Sequence, residues 1–136
     1  MNFNNTSIDW HQVHEVISAA DRIMLSTHEN PDGDGLGAEC GLYYHLKETG
    51  KDVRVINYSP IPDYYSFLNS DQIFECYDQD FHDDWIKDVD LVIIFDVGNF
   101  VRIRTIVDAI KSHGLKTLNI DHHPHPDEHP FTHNVV

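Results

Sequence analysis

The 136 residues carry a formal net charge of −14, because 23 acidic side chains outnumber 9 basic ones. We do not expect so acidic a chain to bind long duplex nucleic acid through a basic groove, and a phosphate ligand would need bound divalent cations. With 40% hydrophobic residues, the composition predicts one globular domain. No apolar run approaches the ~20 residues that cross a bilayer, and no signal-peptide pattern opens the chain, so we expect no membrane contact and a cytoplasmic location.

Strand and helix patterns alternate along the chain. The predicted helices are 7–22, 34–49 and 101–113, with a short one over 64–68. The predicted strands are 22–28, 52–58, 72–77, 90–98 and 116–123. The closing run "FTHNVV" fits either the start of a strand or the approach to a helix. This order predicts an α/β fold, with a mostly parallel sheet of about five strands and helices on both faces.

Three of the predicted strands end in carboxylates or imidazoles. The first ends at His28 and leads to Asp32 and Asp34, the fourth reaches Asp96, and the last reaches "DHH" at 121–123. Ligands of open α/β sheets lie beyond the carboxyl ends of the strands. We therefore expect these side chains to meet at one edge of the sheet.

A divalent metal site explains this cluster best. Taken alone, "NPDGDG" is a good turn, because Asn-Pro and Asp-Gly pairs favour turns. It lacks the GK[ST] of a phosphate loop and the spacing of a calcium-binding EF-hand. Clustered carboxylates repel one another unless cations bind between them. Mixed Asp and His ligands favour Mn²⁺, with Mg²⁺ or Co²⁺ as alternatives, and such sites often bind two ions about 3.5–4 Å apart.

The same segments resemble a known family. "HENPDGDGLGAE", "FDVGNFVRI" and "DHHPHPDEH" are similar to motifs I, II and III of the DHH phosphoesterases, nearest the nano-RNase and pAp-phosphatase branch. The resemblance implies a Rossmann-like DHH domain. It also implies a metal-dependent phosphoesterase, in which a hydroxide bridging two divalent ions attacks phosphorus. The expected substrates are the phosphodiester or phosphomonoester bonds of short oligonucleotides or nucleotides.

The resemblance implies a set of metal ligands. His28 and Asp32 would bind the first ion, and Asp34 and His122 the second. Asp96 would bridge both ions and act as a catalytic residue. The glycines between the acidic residues of motif I would let the backbone pass close to the ions, and Gly37 would let the next helix pack tightly on the sheet.

Four further residues take roles from the resemblance. His123 would be catalytic and substrate-binding, contacting a phosphate oxygen and stabilising the charge that develops there. Asp121 would orient the histidine pair rather than bind metal. Asn30 and Arg102 would contact the substrate or support the site.

Two features of the family lie beyond the 136 residues: a fourth motif, which completes the second metal site, and a C-terminal DHH-associated domain. We therefore expect the chain to be the N-terminal part of a DHH catalytic domain. As such, it would bind its second metal poorly, turn over slowly and expose apolar surface that favours a homodimer. The alternatives are a cyclic dinucleotide phosphodiesterase, an inorganic pyrophosphatase or exopolyphosphatase, and a noncatalytic nucleotide-binding regulatory module. A haloacid dehalogenase would leave "DHH" unexplained.

Overall fold

The computed structural model describes residues 8–125 and 128–136, and its centre is one parallel sheet. The strands are β1 (Arg22–Thr27), β2 (Asp52–Asn57), β3 (Phe74–Cys76), β4 (Leu91–Phe95), β5 (Thr117–Ile120) and β6 (His133–Val135). Their order across the sheet is β3-β2-β1-β4-β5-β6, and every neighbouring pair is parallel. All carboxyl ends of the strands therefore lie at the same edge. The predicted α/β class and parallel sheet are confirmed.

Helices cover both faces of the sheet. The helices are α1 (Trp10–Ser18), α2 (Gly33–Glu48), α3 (Gln79–Ile86) and α4 (Ile106–Ser112). Apolar residues of α1 and α2 pack with Ile23 and Leu25 on one face, and those of α3 and α4 pack with Met24 and Ile94 on the other. Burial on both faces explains why β1 and β4 are almost continuously apolar. None of the described helices is long and apolar enough to cross a membrane.

The sheet has six strands where about five were expected. The additional strand is β6, formed by the closing run whose structure the sequence left open. It pairs with β5 in parallel, with Leu118 opposite His133. The backbone N–H of Asp121 also donates to Val135 at 3.0 Å, so β6 supports the start of the "DHH" segment.

The sequence prediction missed α3. Five of its eight residues, "QDFHDDWI", are polar, and a helix of this length gives only a short pattern in the sequence. Asp78 caps the helix by accepting hydrogen bonds from the backbone N–H groups of Asp80 and Phe81 at 3.0 and 3.3 Å. Only His82 and Ile86 are buried, and these two side chains fix its face against the sheet.

Three predicted helices differ from the structure in their bounds or type. The expected helix over 101–113 is a 3-10 turn (Phe100–Ile103) followed by α4, because Arg104 between them has φ of +56°. The first helix is shorter than 7–22 and begins after Asp9, whose carboxylate accepts from the N–H of Gln12 at 3.1 Å. Ser7, at which the predicted helix begins, lies outside the described residues. The expected short helix over 64–68 is a 3-10 segment (Asp63–Asn69).

Candidate metal centre

Asp96 lies at the centre of the cluster, immediately after β4. Its backbone has φ of +60°, an uncommon conformation for a residue with a side chain, and the residue is only 6% exposed. Its N–H donates to the Ile120 carbonyl at 3.1 Å, which continues the pairing of β4 with β5. A strained conformation and a buried carboxylate at one position are typical of functional sites.

One group of metal-type ligands forms at the end of β1. His28 Nε2 lies 3.4 Å from Asp96 Oδ2 and 3.9 Å from Asp32 Oδ2. His28 is buried, and its Nδ1 is 2.6 Å from the Glu29 carbonyl oxygen. Donation from Nδ1 to that carbonyl leaves Nε2 with its lone pair facing the two carboxylates, as a metal-ligating imidazole requires.

A second group forms on the other side of the Asp96 carboxylate. His122 Nε2 lies 3.0 Å from Asp96 Oδ1 and 3.0 Å from Asp34 Oδ2. The hydrogen bond to Asp96 and the nearby negative charges raise the pKa of His122 above its ordinary value, although desolvation opposes this. A cation that binds at such a site replaces the proton on the imidazole nitrogen.

Asp121 holds two histidines behind the second group. Its side chain is fully buried, with Oδ1 2.6 Å from His123 Nδ1 and Oδ2 2.6 Å from His125 Nε2. Burial raises the pKa of Asp121, but the hydrogen bonds from the two histidines outweigh it, so the net pKa lies below its ordinary value. The far nitrogen of His125, Nδ1, is 3.3 Å from Asn134 Nδ2 in β6. The sequence prediction did not single out His125.

Asp32 of motif I contacts both helix α2 and His28. Asp32 caps α2, since its Oδ1 accepts from the N–H groups of Asp34 and Gly35 at 3.2 and 3.4 Å, while its Oδ2 faces His28.

A side chain at Gly35 would overlap the buried Thr27 hydroxyl, so the close approach of α2 to β1 requires glycine there. The expectation for Gly37 was wrong: a Cβ there would meet nothing within 4 Å.

The two predicted supporting residues lie at different distances from the cluster. Arg102 Nη2 is 3.3 Å from His28 Nδ1, which places the guanidinium beside the first group. Asn30 is exposed with φ of +49°, and its N–H donates to Ser59 Oγ at 3.0 Å. Asn30 therefore shapes the turn, and the described contacts do not join its side chain to the cluster.

An ion pair that the sequence prediction missed joins motifs I and II. Glu29 accepts two hydrogen bonds from Arg104, at 2.5 Å from Nε and 2.7 Å from Nη2. The Arg104 guanidinium lowers the pKa of Glu29. The Glu29 N–H also donates to the Arg102 carbonyl at 2.8 Å. No periodicity or spacing signals a contact between side chains 75 positions apart.

The donor set fits divalent metal ions. Ligand atoms of His28, Asp32 and Asp96 lie within 4.8 Å of one another. The same spacing joins a second set: Asp96, Asp121, His122 and His123. Oxygen and imidazole donors without thiolates suit hard or borderline divalent ions. Fold and donor set thus define a carboxylate–histidine metal centre at the carboxyl edge of a parallel sheet.

Comparison with known proteins gives the family. Residues 22–136 match the family described as "DHH family, N-terminal domain". The chain therefore belongs to the DHH family, the metal-dependent phosphoesterases that its three motifs resemble.

Two curated relatives have the same description, "Bifunctional oligoribonuclease and PAP phosphatase NrnA". The one from Bacillus subtilis (strain 168) is 34% identical over 111 residues, which is 82% of this chain and 32% of the relative. The one from Mycoplasma genitalium is 31% identical over 125 residues, 88% of this chain and 36% of the relative. This chain thus spans about a third of the length of the curated relatives it matches.

A solved structure has the same fold. It is an exopolyphosphatase-related protein from Bacteroides fragilis, with a TM-score of 0.82 and 28% sequence identity. The similarity covers 92% of this chain and 37% of that chain. The shared fold supports the position of the three motifs at one sheet edge.

Proposed function

We propose that this domain forms the metal centre of a phosphoesterase that hydrolyses short oligonucleotides or nucleotides, of the oligoribonuclease and pAp-phosphatase type. The observation that carries the proposal is the position of Asp96, one buried carboxylate with Oδ2 facing His28 and Oδ1 facing His122. A carboxylate shared by two ligand groups is suited to two closely spaced ions.

The proposed metal ligands are those implied by the family resemblance. His28 and Asp32 hold one ion, Asp34 and His122 hold the other, and Asp96 contributes to both. Mn²⁺ is the proposed metal, because the set mixes imidazole with carboxylate. When bound, two such ions activate water and neutralise charge on the phosphate.

His123 is proposed to contact the phosphate. Its Nδ1 lies 2.6 Å from Asp121 Oδ1, which fixes the orientation of the ring and leaves Nε2 to face a phosphate oxygen. Arg102, beside His28, adds a positive charge on the motif II side, and we propose that it faces the phosphate.

An aromatic group beside motif I favours a nucleotide over an inorganic substrate. The ring of Tyr65 packs beside Gly33, which lies between Asp32 and Asp34. A Cβ added at Gly33 would lie 3.1 Å from both Cε1 and Oη of Tyr65. Tyr64 and Phe67 flank Tyr65 with ring centroids 4.6 and 6.4 Å away, and they are 73% and 71% exposed. Exposed aromatic rings next to a phosphate site can stack on nucleobases.

We propose that the 136 residues provide part of a larger site. The curated relatives are about three times its length. We propose that the fourth DHH motif completes the second metal site and that a DHH-associated domain binds the rest of the substrate. The activity proposed is therefore that of the full-length protein.

The test is a substrate panel with the full-length protein after removal of metal by a chelator. A 5′-phosphorylated dinucleotide, pAp, a cyclic dinucleotide and inorganic pyrophosphate are each assayed with and without Mn²⁺. We expect Mn²⁺-dependent hydrolysis of the dinucleotide or pAp. Hydrolysis of pyrophosphate alone would support the polyphosphatase alternative, and nucleotide binding without turnover would support a regulatory module.

A further inference from the structure

Glu39 is a buried acid that the proposed chemistry does not use. It lies in α2, one helical turn after Gly35, and is 0% exposed. Its Oε1 accepts a hydrogen bond of 3.0 Å from Asn57 Nδ2, and its Oε2 has no partner within the part of the chain that the structure describes. Burial raises the pKa of Glu39 to about 8, although the bond from Asn57 opposes this. At pH 7 the group is therefore mainly a neutral acid.

The other end of the Asn57 amide supports the end of β1. Asn57 Oδ1 accepts from the backbone N–H of Thr27 at 2.9 Å and lies 3.4 Å from Ser26 Oγ. The paired register of β1 and β2 reaches only Leu25 opposite Val55. On the β2 side, the N–H of Thr27 thus lies beyond the backbone ladder, and the Asn57 side chain satisfies it.

Thr27 in turn joins the ends of two strands. Its Oγ1 donates to the Phe95 carbonyl at 2.7 Å. Thr27 precedes His28, and Phe95 precedes Asp96. One set of hydrogen bonds therefore runs from Glu39 through Asn57 and Thr27 to Phe95, and it ends at the residues that directly precede His28 and Asp96.

We propose that Glu39 is a positioning residue of the metal centre. By accepting from Nδ2, it orients the Asn57 amide so that Oδ1 faces the N–H of Thr27, which keeps His28 at its distance from Asp96. The reversed amide would place its NH₂ group against the Thr27 N–H, two donors without an acceptor. The role in catalysis rests on the proposed function, whereas the orientation of Asn57 does not.

Two variants of Glu39 in the full-length protein separate the effect of its hydrogen-bond acceptor from the effect of its side-chain volume. Glu39→Gln keeps an oxygen for Asn57, and Glu39→Leu keeps the approximate volume without an acceptor. Mn²⁺ affinity is measured by titration calorimetry, and kcat and KM are measured with the dinucleotide at pH 7. We expect the Gln variant to stay within about twofold of wild type. The Leu variant is expected to lose about tenfold or more in Mn²⁺ affinity and in kcat, with a smaller change in KM, as for other residues that orient metal ligands.

Hydrogen exchange of the Thr27 amide tests the positioning without any activity. Protection of this amide should persist in Glu39→Gln and fall in Glu39→Leu. Asn57→Ala, which leaves α2 unchanged, should cause the same losses and replaces Glu39→Leu if the latter does not fold. Wild-type Mn²⁺ affinity and Thr27 protection in Glu39→Leu or Asn57→Ala would overturn the proposal, as would equal losses in Gln and Leu. If wild type neither binds Mn²⁺ nor hydrolyses the dinucleotide, the proposed function fails, and the exchange comparison still decides the role of Glu39.

Discussion

Asp96 and His122 are 26 positions apart in the sequence, yet Oδ1 of the carboxylate lies 3.0 Å from Nε2 of the imidazole. Parallel pairing brings them together, because β4 and β5 are neighbours and each residue closely follows its strand. The positive φ of Asp96 and its buried side chain fix the carboxylate between the groups that follow β1 and β5. The pairing of two strand ends thus creates a site that neither segment forms alone.

Gly35 and Gly37 give a matched pair of stability variants in one helix. Gly35→Ala places a Cβ against Thr27, with its Cβ and Cγ2 at 3.0 and 3.2 Å, so α2 must move away from β1. We expect Gly35→Ala to lower the free energy of unfolding by about 1–3 kcal/mol, the usual cost of overpacking. Gly37→Ala meets open space and should stabilise α2 by up to about 1 kcal/mol through helix propensity.

Urea unfolding of the two glycine variants measures both effects. Equal changes in the two variants would show that the contact between Gly35 and Thr27 does not limit the approach of the helix.

The buried acid predicts a pH dependence of stability. Burial raises the pKa of Glu39 from its ordinary 4.5 to about 8, so the folded state keeps a proton that the unfolded state loses between these values. The contribution of Glu39 to stability is therefore fully present below pH 4.5 and falls as pH rises toward 8, by up to about 1.4 kcal/mol per pH unit. The hydrogen-bond partner of Glu39 is Asn57, which does not titrate, and the charge of Glu39 is one of the causes that raise the pKa of Cys40, adjacent in α2.

Glu39→Gln isolates this dependence, because all other groups titrate in both proteins. The difference in unfolding free energy between the variant and wild type should grow in favour of the variant from pH 5 to pH 8. A difference that stays constant over this range would mean that Glu39 is ionised in the folded protein.

The aromatic group beside motif I predicts a base-dependent KM. Base–aromatic stacking contributes about 1–3 kcal/mol per base, so removing one ring should raise KM by roughly 5- to 150-fold. Phe67→Ala and Tyr64→Ala are compared for the dinucleotide and for the same compound with one abasic residue. The increase should appear with the dinucleotide and be much smaller with the abasic compound. Equal increases for both compounds would argue against stacking.

Much of the fold and the positions of the three motifs could be predicted from the sequence. The apolar strands and the polar residues at their ends are local signals, and one rule of parallel sheets brings those ends to the same edge. The helix α3 was missed because it is only eight residues long and buries only two side chains, His82 and Ile86. The break in the helix at Arg104 was missed because no sequence pattern signals a positive φ at an arginine.

The supporting contacts of the site could not be predicted, since they join distant side chains. Glu39 and Asn57 are 18 positions apart, and Glu29 and Arg104 are 75 positions apart. His125 differs in that it lies four positions after Asp121. Its role still depends on a tertiary fold that buries Asp121 and turns both oxygens to histidines.

We propose that Asp96 is the shared ligand of a catalytic metal centre. Asp96→Asn removes the charge but keeps the size, whereas Asp90→Asn makes the same change in an exposed carboxylate at the opposite end of β4, which accepts from the N–H groups of Asp21 and Arg22. The decisive measurement is the Mn²⁺-dependent rate of dinucleotide hydrolysis by the full-length protein and by these two variants. We expect a loss of at least about a hundredfold in Asp96→Asn, because removing one electrostatic contribution of this kind costs roughly 3–4 kcal/mol, and near wild-type rates in Asp90→Asn. Full activity in Asp96→Asn would show that Asp96 is not such a ligand.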